Sequence, residues 1–308
     1  MIGQPSDAEI RERICELRTA RRAVILVHNY QLGEVQDLGD FVGDSLELSR
    51  QAASTDAATI VFCGVHFMAE TAAILSPTKT VLLPVREAGC PMADMATAEE
   101  VREAKAAHPG VIVVTYVNSS AAVKAESDVC VTSANAAVIV RTLPTDRPIL
   151  FLPDRNLGAW VARETGREMI LWPGFCPTHM WITREAVNER KREFPGAEVI
   201  IHPESRLEVI DLADAVLSTG GMLRHVRKSA APQFIVATEM GIIYRLRKEN
   251  PGKQFIPVSE QAVCPNMKMI RAVDVLHALA RNEHRIVVPE DLRVRALRPI
   301  EQMLALSP

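Results

Sequence analysis

A chain of 308 residues with 48% hydrophobic content has material for two or three packed units, and its net charge of −3, with both signs interspersed, offers no basic surface for nucleic acid. No apolar run approaches the roughly 18 residues of a membrane span, and Met1 to Ala8 is polar with no apolar h-region, which predicts a cytoplasmic protein with no membrane partner. In a reducing cytosol, six cysteines read as thiols or metal ligands rather than as a disulfide framework.

Taken in order, the chain opens with an amphipathic pattern over residues 7–20, with Ile10, Ile14 and Leu17 at helical spacing and Ser6 as N-cap. A buried-strand run at 23–27 follows, then helical patterns at 35–42 and 45–53, a strand at 58–63, a helix at 66–75 and a strand at 80–83. Thr97 caps a helix to Ala107, and Pro109-Gly110 ends the unit. The next stretch repeats the course, with strands at 111–115, 128–131, 148–152 and 168–171 and a last helix at 183–194. The third has strands at 198–201, 215–217, 233–237 and 253–256, a helix at 240–249, a long helix at 267–281 and a final helix begun by Pro289. Short apolar strands alternating with helices predict parallel sheets covered on both faces.

Several markers recur at near-constant spacing, and an internal repeat has priority over other readings. Cys90-Pro91, Cys176-Pro177 and Cys264-Pro265 lie 86 and 88 residues apart, each after a short apolar run broken by proline or glycine. His28, Tyr116 and His202 end strand-like runs at steps of 88 and 86. Asp40, Asp128 and Asp214 keep the same steps, as do Ser45, Ser133 and Thr219, each five residues beyond its aspartate. The reading is three homologous αβα units, 1–108, 109–195 and 196–308, packed around a pseudo-threefold axis with strand ends inward at a central site.

Such a site receives three thiolates. Three cysteines can close three corners of a cubane iron–sulfur cluster and leave the fourth iron open, or join a histidine in a closed zinc site. No C-x-x-C pair supports zinc. A lone cysteine is ordinarily a buried apolar thiol, the reading given to Cys15, Cys63 and Cys130. A lone histidine or tyrosine after a strand ordinarily caps a loop, but three ends carrying His28/Tyr30, Tyr116/Asn118 and His202/Glu204 in register point to a site. Ser45, Ser133 and Thr219 suit helix N-caps that also bind an anion. The three aspartates read as fold residues at helix ends, and the many Lys and Arg residues as a solvated face. No Walker-type glycine-rich loop is present.

With these residues the chain resembles the quinolinate synthase A family. The resemblance covers nearly the whole chain and rests on His28-Asn29-Tyr30-Gln31, Gly43-Asp44-Ser45, Tyr116-Val117-Asn118-Ser119, Thr132-Ser133-Ala134-Asn135, Pro153-Asp154-Arg155-Asn156-Leu157-Gly158, Trp172-Pro173-Gly174-Phe175-Cys176, His202-Pro203-Glu204, Ser218-Thr219-Gly220-Gly221 and Thr238-Glu239-Met240-Gly241. It implies a triplicated αβα enzyme that condenses iminoaspartate with dihydroxyacetone phosphate to quinolinate, phosphate and water in NAD biosynthesis. It implies one [4Fe–4S] cluster on Cys90, Cys176 and Cys264, with an open iron as Lewis acid. Substrate contacts carried over are His28, Ser45, Tyr116, Val117, Asn118, Ser133, His202, Pro203, Glu204, Ser218 and Thr219, with His179 placed in the same pocket. Tyr30 and Glu204 are the implied proton-transfer groups, with His202 and Tyr116 beside them. An oxidase or dehydrogenase that makes iminoaspartate is the implied partner. Some members carry extra cysteines beside the third ligand. Here Pro265-Asn266-Met267-Lys268 follows Cys264, so no local disulfide switch is expected. The alternatives are a [4Fe–4S] hydro-lyase on another small acid, or a cluster carrier or electron-transfer protein, which ordinarily closes its cluster with a fourth ligand.

Overall fold

The computed structural model describes residues 6–307, so Met1 to Pro5 of the polar leader lie outside the described residues. Twelve short strands form three separate four-stranded sheets, every pairing parallel. The first holds β1 (Ala23–His28), β2 (Phe41–Gly43), β3 (Thr59–Cys63) and β4 (Thr80–Leu82). The second holds β5 (Ile112–Tyr116), β6 (Val129–Val131), β7 (Ile149–Leu152) and β8 (Met169–Leu171). The third holds β9 (Glu198–Ile201), β10 (Ala215–Val216), β11 (Gln233–Ala237) and β12 (Gln254–Pro257). In each, the first strand lies between the second and the third, with the fourth at the far edge. The central strands are continuous apolar runs and are buried on both faces, as a helix-covered parallel sheet requires.

The aspartates of the repeat are indeed fold residues, but their task is sheet closure rather than ending helices. Asp40 Oδ2 accepts from Ile25 N at 2.9 Å, Asp128 Oδ2 from Val113 N at 2.8 Å and Asp214 Oδ2 from Val199 N at 2.8 Å. The N–H of each aspartate returns a bond to the carbonyl of the same strand residue. Each pair starts the edge strand in register with the first strand.

Two expected helices differ. The pattern at 35–42 is a single helical turn, Gly33–Gln36, followed by β2, because Asp40 captures the edge of β1 and turns the chain into pairing. The helix expected over 267–281 is broken into a 3₁₀ turn, Asn266–Lys268, and a helix, Ala272–Arg281, restarted at Arg271 with Asp274. The Ser6 capping box and the Thr97 cap are as expected. One lysine departs from the solvated face: Lys124 is fully buried and donates to Ser119 O. It does for the second unit what Gln36, donating to Gln31 O at 2.8 Å, does for the first.

The helix that follows each cysteine packs on the neighbouring unit. Ala98–Ala107 meets the short helix Ala121–Lys124 of the second unit, Arg184–Glu193 packs on β11 of the third, and Ala272–Arg281 packs on β3 and on the N-terminal helix Asp7–Ala20. The last helix, Glu290–Leu306, crosses to β6 and to helix His66–Leu75.

Asp128→Ala leaves Val113 N without its acceptor, so stability should fall by about 1–3 kcal/mol. Asp128→Asn keeps an acceptor and should lose less. Denaturant midpoints compare the two.

Candidate active site

The carboxyl ends of the inner strands deliver the site. His28 ends β1, Tyr116 ends β5 and His202 follows β9, while Ser45 and Thr219 open helices and Ser133 precedes one. Their side chains, with Tyr30, Asn118, His179, Glu204, Cys90, Cys176 and Cys264, line one pocket of about 650 Å³ counting its mouth. The structure therefore brings together all but three of the site residues expected from sequence. Val117 and Pro203 are buried away from the pocket wall, because neighbours along an extended strand end face opposite ways. Ser218 also lies off the wall: its Oγ accepts from Gly221 N at 3.1 Å, capping helix Thr219–Lys228, and donates to Asp44 Oδ2 at 3.1 Å.

Two histidines are fixed by the same device. His28 Nδ1 accepts from Tyr30 N at 3.2 Å, and His202 Nδ1 accepts from Glu204 N at 3.4 Å. Each ring therefore carries its proton on Nε2. His202 Nε2 lies 3.2 Å from Ser133 Oγ. Burial pushes both imidazoles down to about 3, against the pull of the Glu204 carboxylate. They are neutral donors at ordinary pH.

A chain of hydrogen bonds crosses the pocket floor. Tyr30 OH meets Thr238 Oγ1 at 2.5 Å, Thr238 Oγ1 meets His179 Nε2 at 2.9 Å, and His179 Nδ1 meets Glu204 Oε2 at 2.8 Å. Tyr116 OH donates to Glu204 Oε1 at 2.6 Å. Burial would raise the Glu204 carboxyl, but His179, His202 and the Tyr116 hydroxyl hold it well below the usual carboxylate range. Burial and the Glu204 charge push both tyrosines well up, so they stay phenols. Asn118 Oδ1 is buried and has no protein partner.

The three cysteines are free thiols, each partly shielded. In every copy the backbone N–H three residues on, at Ala93, His179 and Met267, bonds to the sulfur. Burial pushes the Cys90 thiol up to about 12 and raises Cys176 and Cys264 as well. A soft cation is what would replace those protons. Three sulfurs supported by amide donors, in a pocket with an unpartnered carboxamide oxygen, fit a three-cysteine cluster. Cys176, His179 and Glu204 also place ligand atoms within 4.8 Å of one another. There the His179 ring is already engaged, by Glu204 and Thr238. Cys63 and Cys130 are buried in β3 and β6 as expected of structural thiols, but Cys15 is exposed on the N-terminal helix.

Asp44, Thr238 and Glu239 stand among the residues of the resemblance, but the sequence reading gave them no place in the site. Glu239 and Asp44 line the pocket, and Thr238 joins Tyr30 to His179. Thr238 and Glu239 follow β11 directly, the position that yielded other site residues; Asp154, two residues past β7, is the repeat partner of Glu239, and Thr238 matches Pro153.

Three parallel αβα units sharing one buried pocket of neutral histidines, phenols, thiols and carboxyl groups define an enzyme of the α/β class. A profile described as "Quinolinate synthetase A protein" matches residues 12–305. The quinolinate synthases of Dehalococcoides mccartyi and Desulforudis audaxviator are each 57% identical to it, over 96% of this chain and 97% of the former and over 97% of this chain and 98% of the latter. That of Thermodesulfovibrio yellowstonii is 51% identical over 96% of this chain and 97% of its own. The chain belongs to the quinolinate synthetase A family of enzymes.

The depressed histidines make stability pH-dependent. Their folded values lie below the unfolded value of about 6.5, so the unfolded chain binds protons first as pH falls. Their contribution is whole above about pH 6.5 and is lost on the way down to 3. Between pH 7 and 5 each should cost about 2 kcal/mol. His28→Gln should reduce the stability lost over that interval by that amount, read from denaturant curves at the two pH values.

Proposed function

We propose that the chain condenses iminoaspartate with dihydroxyacetone phosphate to quinolinate, phosphate and water, a step of NAD biosynthesis in the cytoplasm. The units 1–108, 109–195 and 196–308 would surround the site with pseudo-threefold symmetry, and Cys90, Cys176 and Cys264 would hold a [4Fe–4S] cluster. The observation that carries the reading is the arrival of all three repeat cysteines, amide donors at each sulfur, in the pocket that holds the Tyr30–Glu204 hydrogen-bond chain. When bound, such a cluster supplies an open iron as Lewis acid.

The chain's own residues account for binding and proton traffic. Both substrates are anions. His28 and His202 present neutral N–H donors, and Ser45, Ser133 and Thr219 present hydroxyls. Ser45 and Thr219 open ten-residue helices, whose N-termini favour negative charge. Tyr30, kept protonated, is placed to donate, and Glu204, kept ionised, to accept. Thr238 and His179 join the two. An oxidase or dehydrogenase would supply the unstable imine.

If the ligand set is right, Cys90→Ser, Cys176→Ser and Cys264→Ser each lose iron, sulfide and quinolinate formation after anaerobic purification, whereas Cys15→Ser, Cys63→Ser and Cys130→Ser keep them. A folded variant of the second group without cluster would overturn the assignment.

Tyr30→Phe and Glu204→Gln should each lower kcat by roughly 10²–10⁴ with cluster absorption unchanged. Ser133→Ala and Thr219→Ala should act mainly on KM, by about 1.5–3 kcal/mol. Wild-type kcat in both Tyr30→Phe and Glu204→Gln would remove the proton-transfer roles.

A further inference from the structure

The three cysteine-bearing arms share one backbone anchor and differ in what else holds them. In the first, His66 N donates to Ala88 O at 2.8 Å, two residues before Cys90. In the second, Arg155 N donates to Gly174 O at 2.8 Å and Phe175 N approaches Met95 Sδ at 3.3 Å, which ties it to the first arm. In the third, Met240 N donates to Ala262 O at 2.9 Å, while Val263 and Met269 are exposed on either side of Cys264. Its attachment at the cysteine is a buried carboxylate. Glu239, 1% exposed, accepts from Cys264 N at 3.0 Å through Oε1 and from Gly241 N at 2.6 Å through Oε2.

That carboxylate is shared with a cation from the same arm. Lys268 Nζ lies 2.9 Å from Glu239 Oε1 and 3.1 Å from Oε2, and also donates to Tyr30 O. The crossing is tight: a side chain at Gly241 would collide with Tyr30 O and Lys268 Nζ. Gln31 Nε2, next to Tyr30, reaches Met267 Sδ at 3.7 Å. In the second arm Asp154 stands at the place of Glu239, two residues past its strand, but Met180 stands at the place of Lys268; in the first these places hold Val65 and Asp94, so the pair occurs in the third arm alone.

We propose that Glu239 and Lys268 are a positioning pair that fixes the Cys264 arm against the first unit at Tyr30. Glu239 holds the cysteine's own amide, which sets where the thiol points. Lys268 bridges that carboxylate to the backbone of the residue that faces it across the pocket. The third thiol and the Tyr30 phenol then keep one distance, although they come from opposite ends of the chain. The consequence for a cluster rests on the ligand set proposed above, but the clamp on the thiol does not.

The test therefore reads the thiols directly. Full-length wild type, Glu239→Gln and Lys268→Met are purified anaerobically, stripped of iron and treated with iodoacetamide, and each cysteine's alkylation rate is followed by mass spectrometry. Cys264 should react about tenfold faster in both variants, as expected of a locally released segment, with Cys90 and Cys176 unchanged. Lys268→Met, at a partly exposed position, keeps the test open if Glu239→Gln fails to fold. An unchanged Cys264 rate, or an equal rise at all three cysteines, overturns the proposal. On unstripped protein, iron release to a chelator should also be faster in the variants. If wild type binds no iron while Cys264 alone responds, the clamp stands and the cluster reading falls.

Discussion

A parallel sheet has two apolar faces to cover, and here each unit's covering is completed by its neighbour. The helix after Cys90 packs on the second unit, the helix after Cys176 on the third, and the helix after Cys264 on the first. This exchange holds the carboxyl ends of three inner strands around one space. The site exists because the covering is shared, since each sheet brings only part of the chemistry: two sheets end in histidine, one in tyrosine.

Within that space the loss of water governs protonation. Desolvation keeps His28 and His202 neutral and Tyr30, Tyr116 and the three thiols protonated. One group escapes it. Glu204 stays ionised because His179 and Tyr116 bond to its two oxygens. With Asp44 and Glu239 also on its wall, a pocket of neutral donors suits anionic substrates whose charges sit away from these three carboxyl groups.

Most of the fold was legible because a repeat multiplies weak signals. A single Cys-Pro or a single His after a strand decides nothing, whereas three in register decide both the unit length and the strand ends. What repetition cannot reveal is what occurs once. Thr238 and Lys268 have no counterparts, and each acts through a contact between units that sequence spacing does not encode. The misread helix at 35–42 has a different cause. Local helical pattern was right for one turn, and Asp40 then overrode it by pairing with β1. Val117 and Pro203 were carried along with their neighbours, although the two-residue alternation of an extended chain turns them inward.

The exchange of helices has an order in time. The first sheet is synthesised first, yet the helix that covers β3 and clasps the N-terminal helix is Ala272–Arg281, near the end of the chain. The second sheet likewise waits for Glu290–Leu306 to reach β6. Until residues 272–281 have been made, the β3 face lacks the helix that covers it here. The first sheet to be made is thus covered only after the third has been.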